Sequence, residues 1–227
     1  MMREQEIRST EHVVEFRAGG TTTTGLGVLT GLIVFNKRSV NLGGFVEVVD
    51  PKAFNKTLAD RVPVMARFNH DSNLPLGTTT AGTLRLKVQR DGLRYEVDLP
   101  DTGAGRDVKA LAERGDLRAS SFAFRAVEDD WGFTEDNTPL RTLKSVKLVD
   151  VAPVMEPAYP DSTTGMRSLA DRLGVPFADV ERAAAEGELR LLAARAGLPT
   201  RTTQKAEPAG PTIAELRRRL DAGLFSG

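Results

Sequence analysis

The chain has 227 residues, of which 40% are hydrophobic, and it carries 31 basic and 31 acidic side chains. This length supports one domain with a sizeable core, and a formal net charge of zero gives no overall field that would attract a nucleic acid or an anionic membrane. The absence of cysteine excludes disulfides, thiolate nucleophiles and cysteine zinc sites, and the two histidines are too few for a three-histidine metal site.

Neither a membrane span nor a targeting segment is predicted. No apolar run in the sequence approaches the length of about 18 residues that a membrane helix needs. The polar, charged N-terminus lacks the apolar centre of a signal peptide. We therefore expect a protein that folds and acts in the cytoplasm.

The first half of the chain is predicted to form three strands and one helix. Strands are predicted at residues 25–35 and 43–49, where aliphatic and β-branched residues are bounded by Gly and Asn. Asp50 is a good N-cap and is followed by proline, which predicts a helix that begins there. Residues 61–71 are predicted to return to strand, because apolar side chains at alternate positions lead up to His70.

The second half predicts a hairpin, a helix and two long strands. Residues 82–100 contain two alternating runs around an Asp-Gly turn, and residues 103–116 have apolar positions at helical spacing and stop at Gly115. The stretches "LRASSFAFRAVEDDW" and "LRTLKSVKLVDVAPV" are then predicted as strands joined by a polar turn. These elements predict an α+β fold, a mostly antiparallel and closed or nearly closed β-barrel of about seven strands with surrounding helices.

The chain is predicted to divide into a domain at residues 1–167 and a helical tail at residues 168–227. The tail is rich in Ala, Glu, Arg and Leu, which predicts helix that continues through Gly187. Residues 197–211 have the composition of a flexible linker. A Thr-x-x-Glu capping box that begins at Thr212 predicts a short amphipathic helix after the linker.

Two adjacent serines lie inside the apolar strand "LRASSFAFRAV". Ser120 and Ser121 point to opposite faces, because side chains alternate along a strand. Ser120 shares its face with Phe122 and Phe124, whereas Ser121 has small or slim neighbours that leave space either for a covering helix or for a substrate. The pattern favours Ser121 as the reactive serine, and the alternative is that both hydroxyls bond to nearby backbone.

His70 and Asp150 are the other candidates for chemistry. His70 ends its predicted strand before the polar loop "DSNLPLG", where it is either a catalytic base near a substrate or a structural histidine bonded to backbone. Asp150 falls on a predicted apolar face, where a carboxylate is costly unless it is paired. It can form a salt bridge to Arg141 or Arg125, or orient a histidine as the acid of a hydrolase triad does.

Together the three residues suggest a Ser–His–Asp triad. Ser121 would attack, His70 would take its proton and Asp150 would hold the ring. The chain order His, Ser, Asp differs from the common triad orders, and the sequence has no Gly-x-Ser-x-Gly elbow. Spacing alone therefore leaves the structural alternatives open.

Four stretches, in order, carry a resemblance to a known family. "GLIVFNKRSVNLGGFVEVVDPKAF" resembles the opening of the family's sequences, which consists of a strand, a GGF-x-E turn and a proline-led helix. "NHDSNLPLG" resembles the family's histidine motif. "LRASSFAF" resembles a Met-Ser-Phe-Gly-Phe serine motif, and "LVDVAPVMEPAYPDS" resembles a closing motif that ends in PAYP. Over about residues 26–165 the chain resembles the prohead maturation proteases of tailed bacteriophages, which are related in fold to the herpesvirus assemblins.

The resemblance implies an assemblin-like serine endopeptidase that needs no metal or organic cofactor. The family's histidine falls on His70, its nucleophile, the serine before Phe-x-Phe, falls on Ser121, and its acidic residue falls on Asp150. The herpesvirus relatives use a second histidine as third member, but His12 lies before the first clear strand and is not the expected partner. Glu128, Asp71 and Glu156 are the substitutes for Asp150 that the sequence leaves open.

Three residues depart from the family pattern. Ala123 replaces the glycine after Ser-Phe, which reduces the space beside the nucleophile. Ser120 replaces a methionine, and Asp150 stands where glutamate is usual, so its reach to the imidazole is one methylene shorter.

The resemblance also implies partners and a location. The expected substrates are the scaffolding protein or the scaffold-like N-terminal part of the major capsid protein, together with the protease itself. The expected location is the host bacterial cytoplasm, inside the assembling prohead, and the herpesvirus relatives suggest a dimer. The alternative is a catalytically inactive homologue that acts as an internal scaffold or capsid-assembly factor.

Overall fold

The structure is a computed structural model, and it describes residues 4–10, 14–17, 26–156 and 163–198. In these ranges the chain forms ten strands, five α-helices and one 3-10 turn. The strands are β1 (Glu6–Thr10), β2 (Val14–Arg17), β3 (Val28–Val34), β4 (Val46–Val49), β5 (Met65–Arg67), β6 (Pro75–Thr78), β7 (Leu84–Val88), β8 (Gly92–Asp98), β9 (Ala119–Phe133) and β10 (Pro139–Val154). The helices are α1 (Asn55–Ala59), α2 (Gly103–Arg114), α3 (Thr163–Leu173), α4 (Phe177–Ala185) and α5 (Leu189–Arg195), and the 3-10 turn is Phe68–His70. None of these helices is both long and apolar enough to cross a membrane.

The strands form two sheets around a long hairpin. Strands β9 and β10 pair antiparallel, and the first sheet has the order β1-β9-β10-β5-β6, with β4 also on β10. The second sheet has the order β2-β3-β8-β7 and is antiparallel throughout. Both β4 and β5 run parallel to β10, each along a different part of it.

The α+β class is confirmed, but the expected barrel of about seven strands is wrong. The described strands form two separate sheets, and neither sheet closes on itself. The reason is that β9 and β10 have 15 and 16 residues, so one hairpin carries β1, β4 and β5 at different places along its length. β6 pairs with β5 in the same sheet, and the four remaining strands hydrogen-bond among themselves.

The main hydrophobic core lies between the two sheets and beneath α1 and α2. Phe122 and Phe124 of β9 stack with ring centroids 5.0 Å apart, and Phe54 packs edge-on against Phe122 at 5.8 Å. Burial of each such ring stabilises the fold by roughly 1.5–3 kcal/mol. The inner face of β9 is therefore the face of its phenylalanines.

The predicted helix over residues 103–116 is confirmed, whereas the first helix begins later than expected. The N-cap Thr102 accepts a hydrogen bond from the backbone N–H of Gly105, and α2 ends at Gly115. In contrast, α1 begins at Asn55 and not directly after Asp50. The carboxylate of Asp50 accepts a hydrogen bond from the Lys52 backbone and another from the Lys144 ammonium, which holds the intervening residues in turns.

The C-terminal helices pack as a separate layer. The prediction of helix through Gly187 is wrong, because Gly174 and Gly187 adopt positive φ angles of 67° and 73° and separate α3, α4 and α5. These helices bury their apolar faces around Phe45 and Trp131, whose ring centroids are 5.1 Å apart. The domain boundary after residue 167, which falls inside α3, stays a prediction.

Some sequence predictions fall on parts of the chain without a structural description. The predicted linker at residues 197–211 extends beyond residue 198, and the capping box at Thr212 lies entirely outside the described residues. His12 is outside them as well.

A buried ion network anchors β1 to the rest of the sheet. The Arg141 side chain is fully buried and donates hydrogen bonds to the carboxylates of Glu6, Glu47 and Asp129. Arg8 joins the network through Glu6 and Glu47. Burial by itself would lower the pKa of Arg141, but the surrounding carboxylates outweigh it and raise that pKa above its usual value. The network occupies Arg141, so this residue is not the partner of Asp150.

Candidate active site

His70 lies in a tight turn and not on a strand. Strand β5 ends at Arg67, and both Asn69 and His70 then adopt left-handed backbone conformations with φ of 52° and 59°. The prediction that His70 continues an alternating strand face is therefore wrong. The side-chain oxygen of Asn69 accepts a hydrogen bond of 3.0 Å from the Met155 backbone N–H, which ties the turn to the end of β10. Non-glycine residues with positive φ are uncommon and often occur at functional sites.

The two serines occupy opposite faces of β9, as the alternation predicts. Ser120 lies on the phenylalanine face and donates a hydrogen bond of 3.2 Å to the Tyr95 hydroxyl. Burial raises the pKa of Tyr95, and the hydrogen bond from Ser120 opposes part of that increase. Ser121 lies on the other face, where Ala152 of β10 and Ser9 of β1 are its direct strand partners. Both serine side chains are buried.

Asp150 reaches the Ser121 face through a β-bulge. Leu148 pairs with Phe124, but Asp150 pairs with Ala123, so Val149 is an extra residue in β10. Directly opposed residues point to the same face, and the bulge therefore separates Asp150 from the core-facing Leu148. The prediction that both share one apolar row is wrong for this reason, although Asp150 does share its face with Ala152.

The structure brings His70, Ser121 and Asp150 into one hydrogen-bonded line. His70 Nε2 lies 2.7 Å from Ser121 Oγ, and His70 Nδ1 lies 2.5 Å from Asp150 Oδ1. Asp150 has no exposed side-chain surface, and the His70 side chain is 10% exposed. The shorter reach of aspartate is sufficient because the turn presents the ring directly above β10. This arrangement can polarise a serine hydroxyl for nucleophilic attack.

The sequence did not identify Arg67 as part of this site. Arg67 Nη1 donates a hydrogen bond of 3.1 Å to Asp150 Oδ2, so both oxygens of the carboxylate have partners. The signal that could have found it is the position of a long cation three residues before the histidine. The pairings considered for Asp150 in the sequence, with Arg125 or Arg141, are replaced by this one.

The Ser121 hydroxyl has two neighbours that can accept its single hydrogen. One is His70 Nε2, and the other is the backbone carbonyl of Arg8, which lies 2.9 Å from Ser121 Oγ. Ser121 can donate to Arg8 and also bond to His70 only when Nε2 carries a hydrogen. Loss of that hydrogen leaves Nε2 free to accept the serine proton.

Within the described part of the chain, none of the other acidic candidates forms a hydrogen bond with His70. Asp71 is exposed and accepts hydrogen bonds from Asn73, and Glu128 and Glu156 are exposed as well.

Ala123 is fully buried and opposite Asp150, so its methyl group fits the site without displacing the carboxylate. Among the described residues, no group of three or more His, Cys, Asp or Glu side chains is placed to hold a metal ion.

Comparison with models of protein families shows which family the chain belongs to. The profile of the caudovirus prohead serine protease family matches residues 14–172, well over half of the sequence. The chain therefore belongs to this family of phage head maturation proteases. The solved structure of the bacteriophage T4 capsid assembly protease, gp21, is similar with a TM-score of 0.46 and 11% sequence identity, and the alignment covers 68% of this chain and 99% of that chain. A comparison with curated proteins found no match.

Proposed function

We propose that the chain is a serine endopeptidase whose catalytic triad consists of Ser121, His70 and Asp150. The observation that supports this proposal is the continuous hydrogen-bonded line from the Ser121 hydroxyl through both ring nitrogens of His70 to the Asp150 carboxylate. The Ser121–His70 distance lies in the range expected for a nucleophile and its base, and the shorter His70–Asp150 distance places the acid in direct contact with the ring. Membership in a serine protease family supports the same reaction class.

The proposed reaction proceeds through an acyl-enzyme. Ser121 Oγ attacks the scissile carbonyl carbon while His70 Nε2 takes the hydroxyl proton. The tetrahedral intermediate collapses when His70 passes that proton to the leaving amine, which breaks the peptide bond. Water then attacks the ester with His70 again as the base, and release of the new carboxyl terminus restores Ser121. Asp150 keeps Nδ1 protonated and stabilises the imidazolium formed in each step.

The proposed substrates are proteins of the assembling phage head. They are the scaffolding protein or the scaffold-like N-terminal part of the major capsid protein precursor, cut inside the prohead in the host cytoplasm. The protease is also proposed to cut itself, within about residues 197–211, which would free it from a C-terminal segment that addresses it to the head. Family membership supports a head protein as the substrate class.

One observation favours a second candidate function. The Ser121 side chain is fully buried and lies 2.9 Å from the Arg8 carbonyl, so a substrate has no open path to it in this conformation. A catalytically inactive homologue that acts as an internal scaffold or assembly factor would have no need for such a path.

Coexpression with the major capsid protein precursor of the same phage separates the two candidates. The endopeptidase proposal expects a shortened capsid protein with the wild-type protease and full-length precursor with Ser121→Ala or His70→Ala. Ser120→Ala is the matched control and should leave cleavage intact. If the wild-type protein leaves the precursor uncut, or if the Ser121→Ala protein cuts it equally well, the endopeptidase proposal fails.

A further inference from the structure

One short segment of the chain supplies both partners of the Asp150 carboxylate. Arg67, the last residue of β5, donates to Oδ2, and His70, three residues later, contacts Oδ1. Strand β5 runs parallel to β10 with Met65 beside Asp150 and Ala66 beside Val151. The backbone pairing therefore brings the arginine to the carboxylate from the side opposite Ala123.

The burial of Asp150 makes this second partner important. Its side chain has no exposed surface, so water cannot solvate the oxygen that faces away from His70. A buried carboxylate without full hydrogen bonding is expensive and favours protonation or a different side-chain orientation. The Arg67 side chain is 25% exposed, so its guanidinium reaches from the surface to Oδ2 and places a positive charge there.

We propose that Arg67 is a positioning residue for the reaction, which acts through Asp150 by holding the carboxylate turned toward His70. This inference rests on the proposed function, because it assigns Arg67 a part in the same triad. A positioning residue does not touch the substrate. Its effect is on the orientation of the imidazole and on how readily the ring takes a proton.

Two consequences separate this role from ordinary structural support. Removal of the arginine frees the carboxylate to rotate away from Nδ1, which slows every step in which His70 moves a proton. Removal also takes a positive charge away from the His70–Asp150 pair, so the pair binds a proton more readily. The active form, with Nε2 free, is then reached only at higher pH.

Other charged groups lie near the same pair along the chain or along the same strands, and they are unchanged when Arg67 is replaced. Asp71 and Glu156 lie next to the turn and to the end of β10, and both are exposed. Arg125 and Lys147 oppose each other on β9 and β10, further along the hairpin from Asp150. Their effects are common to the wild type and the Arg67 variants, so a difference in labelling between these proteins reports on Arg67.

The experiment uses the full chain and a fluorophosphonate probe, which bonds to a nucleophilic serine oxygen with loss of fluoride. The rate of labelling is followed by intact mass from mildly acidic to mildly basic pH. The variants are Arg67→Gln, Arg67→Lys and, as matched control, Arg85→Gln, which removes an exposed arginine that pairs with Asp98 in the other sheet. We expect Arg67→Gln to label roughly 10- to 100-fold more slowly at neutral pH. Labelling slows as the pH falls, and in Arg67→Gln this acidic limb of the pH–rate profile should lie about one pH unit higher than in the wild type.

Retention of the charge should restore both properties. We expect Arg67→Lys to keep the acidic limb of the wild type and to recover most of the rate, and Arg85→Gln to match the wild type. An unchanged rate and limb in Arg67→Gln would overturn the inference. A lower rate in Arg67→Gln with an unshifted acidic limb would also overturn it if Arg67→Lys did not recover the rate, because such a result shows a structural effect alone.

A second measurement does not depend on labelling. The chain has only two histidines, so selective isotope labelling of histidine gives two ring systems that can be assigned with His70→Ala. The ring of His70 should gain its proton at higher pH in Arg67→Gln than in wild type, and an identical titration would overturn the inference. If the wild-type protein is not labelled at Ser121 at all, the proposed function fails and the inference fails with it. If the wild-type protein is labelled normally and Arg67→Gln behaves like the wild type, the inference fails but the proposed function stands.

Discussion

Asp150 lies directly opposite Ala123 on the neighbouring strand, on the same face as Ser121, because Val149 is an extra residue in β10. Without this bulge, strict alternation would point the carboxylate toward the core phenylalanines of β9. The bulge also removes a carboxylate from an apolar row, where it would be costly. One inserted residue therefore determines whether a buried acid can reach His70.

Replacement of Asp150 tests whether that acid orients the base. Asp150→Asn keeps the size of the side chain but cannot hold the same ring tautomer, so fluorophosphonate labelling of Ser121 should slow by a factor of about 10³ to 10⁴. Asp150→Glu should give an intermediate rate, because the longer side chain must fit a fully buried site between His70 and Arg67. A wild-type rate in a folded Asp150→Asn protein would contradict the assignment.

The serine pair offers an internal comparison. Ser121→Ala should abolish labelling, whereas Ser120→Ala should label at the wild-type rate. Ser120→Ala should lower the free energy of unfolding by about 1 kcal/mol, because the buried Tyr95 hydroxyl loses its partner. Urea unfolding and intact mass after labelling measure both effects. The opposite result, with loss of labelling in Ser120→Ala alone, would move the nucleophile to Ser120.

Removal of one member of the buried ion network should strongly destabilise the protein. Arg141→Met leaves the carboxylates of Glu6, Glu47 and Asp129 buried without their shared cation, which should cost about 3–5 kcal/mol in urea unfolding. Arg141→Lys keeps the charge and should lose less, and it serves as the measurable variant if the methionine protein does not fold. The exposed pair of Arg85 and Asp98 is the control, since Arg85→Gln should cost less than about 1 kcal/mol. Equal losses for Arg141→Lys and Arg85→Gln, together with a folded Arg141→Met protein, would show that the network is dispensable.

Self-processing can be detected on the protein alone. We expect the wild-type chain to lose its C-terminal segment by cleavage within about residues 197–211, where the composition is that of a flexible linker. Mass spectrometry of wild type and Ser121→Ala, prepared identically, measures the mass of each product. An intact and identical tail in both proteins, under conditions where the capsid precursor is cut, would contradict the prediction.

Local signals predicted those elements whose ends depend on nearby residues. Helix α2 follows from the Thr102 cap and Gly115, and the β7–β8 hairpin follows from its Asp-Gly turn. Two of the wrong predictions, the strand through His70 and the helix directly after Asp50, depended on distant contacts. The turn at His70 is held by Asn69 bonding to Met155, and α1 is delayed because Asp50 bonds to Lys144. Neither partner is near in sequence.

The sequence by itself determined which residue types were available for chemistry, and the alternation of β9 together with the Phe-x-Phe that follows distinguished Ser121 from Ser120. It also determined the family, through four motifs in a fixed order. Only the tertiary structure decided which side chains meet. A bulge in the pairing of β10 with β9 turned Asp150 to the Ser121 face, and β5 brought Arg67 to its second oxygen. Such contacts cannot be obtained from local sequence, because strand register depends on hydrogen bonds between residues that are far apart along the chain.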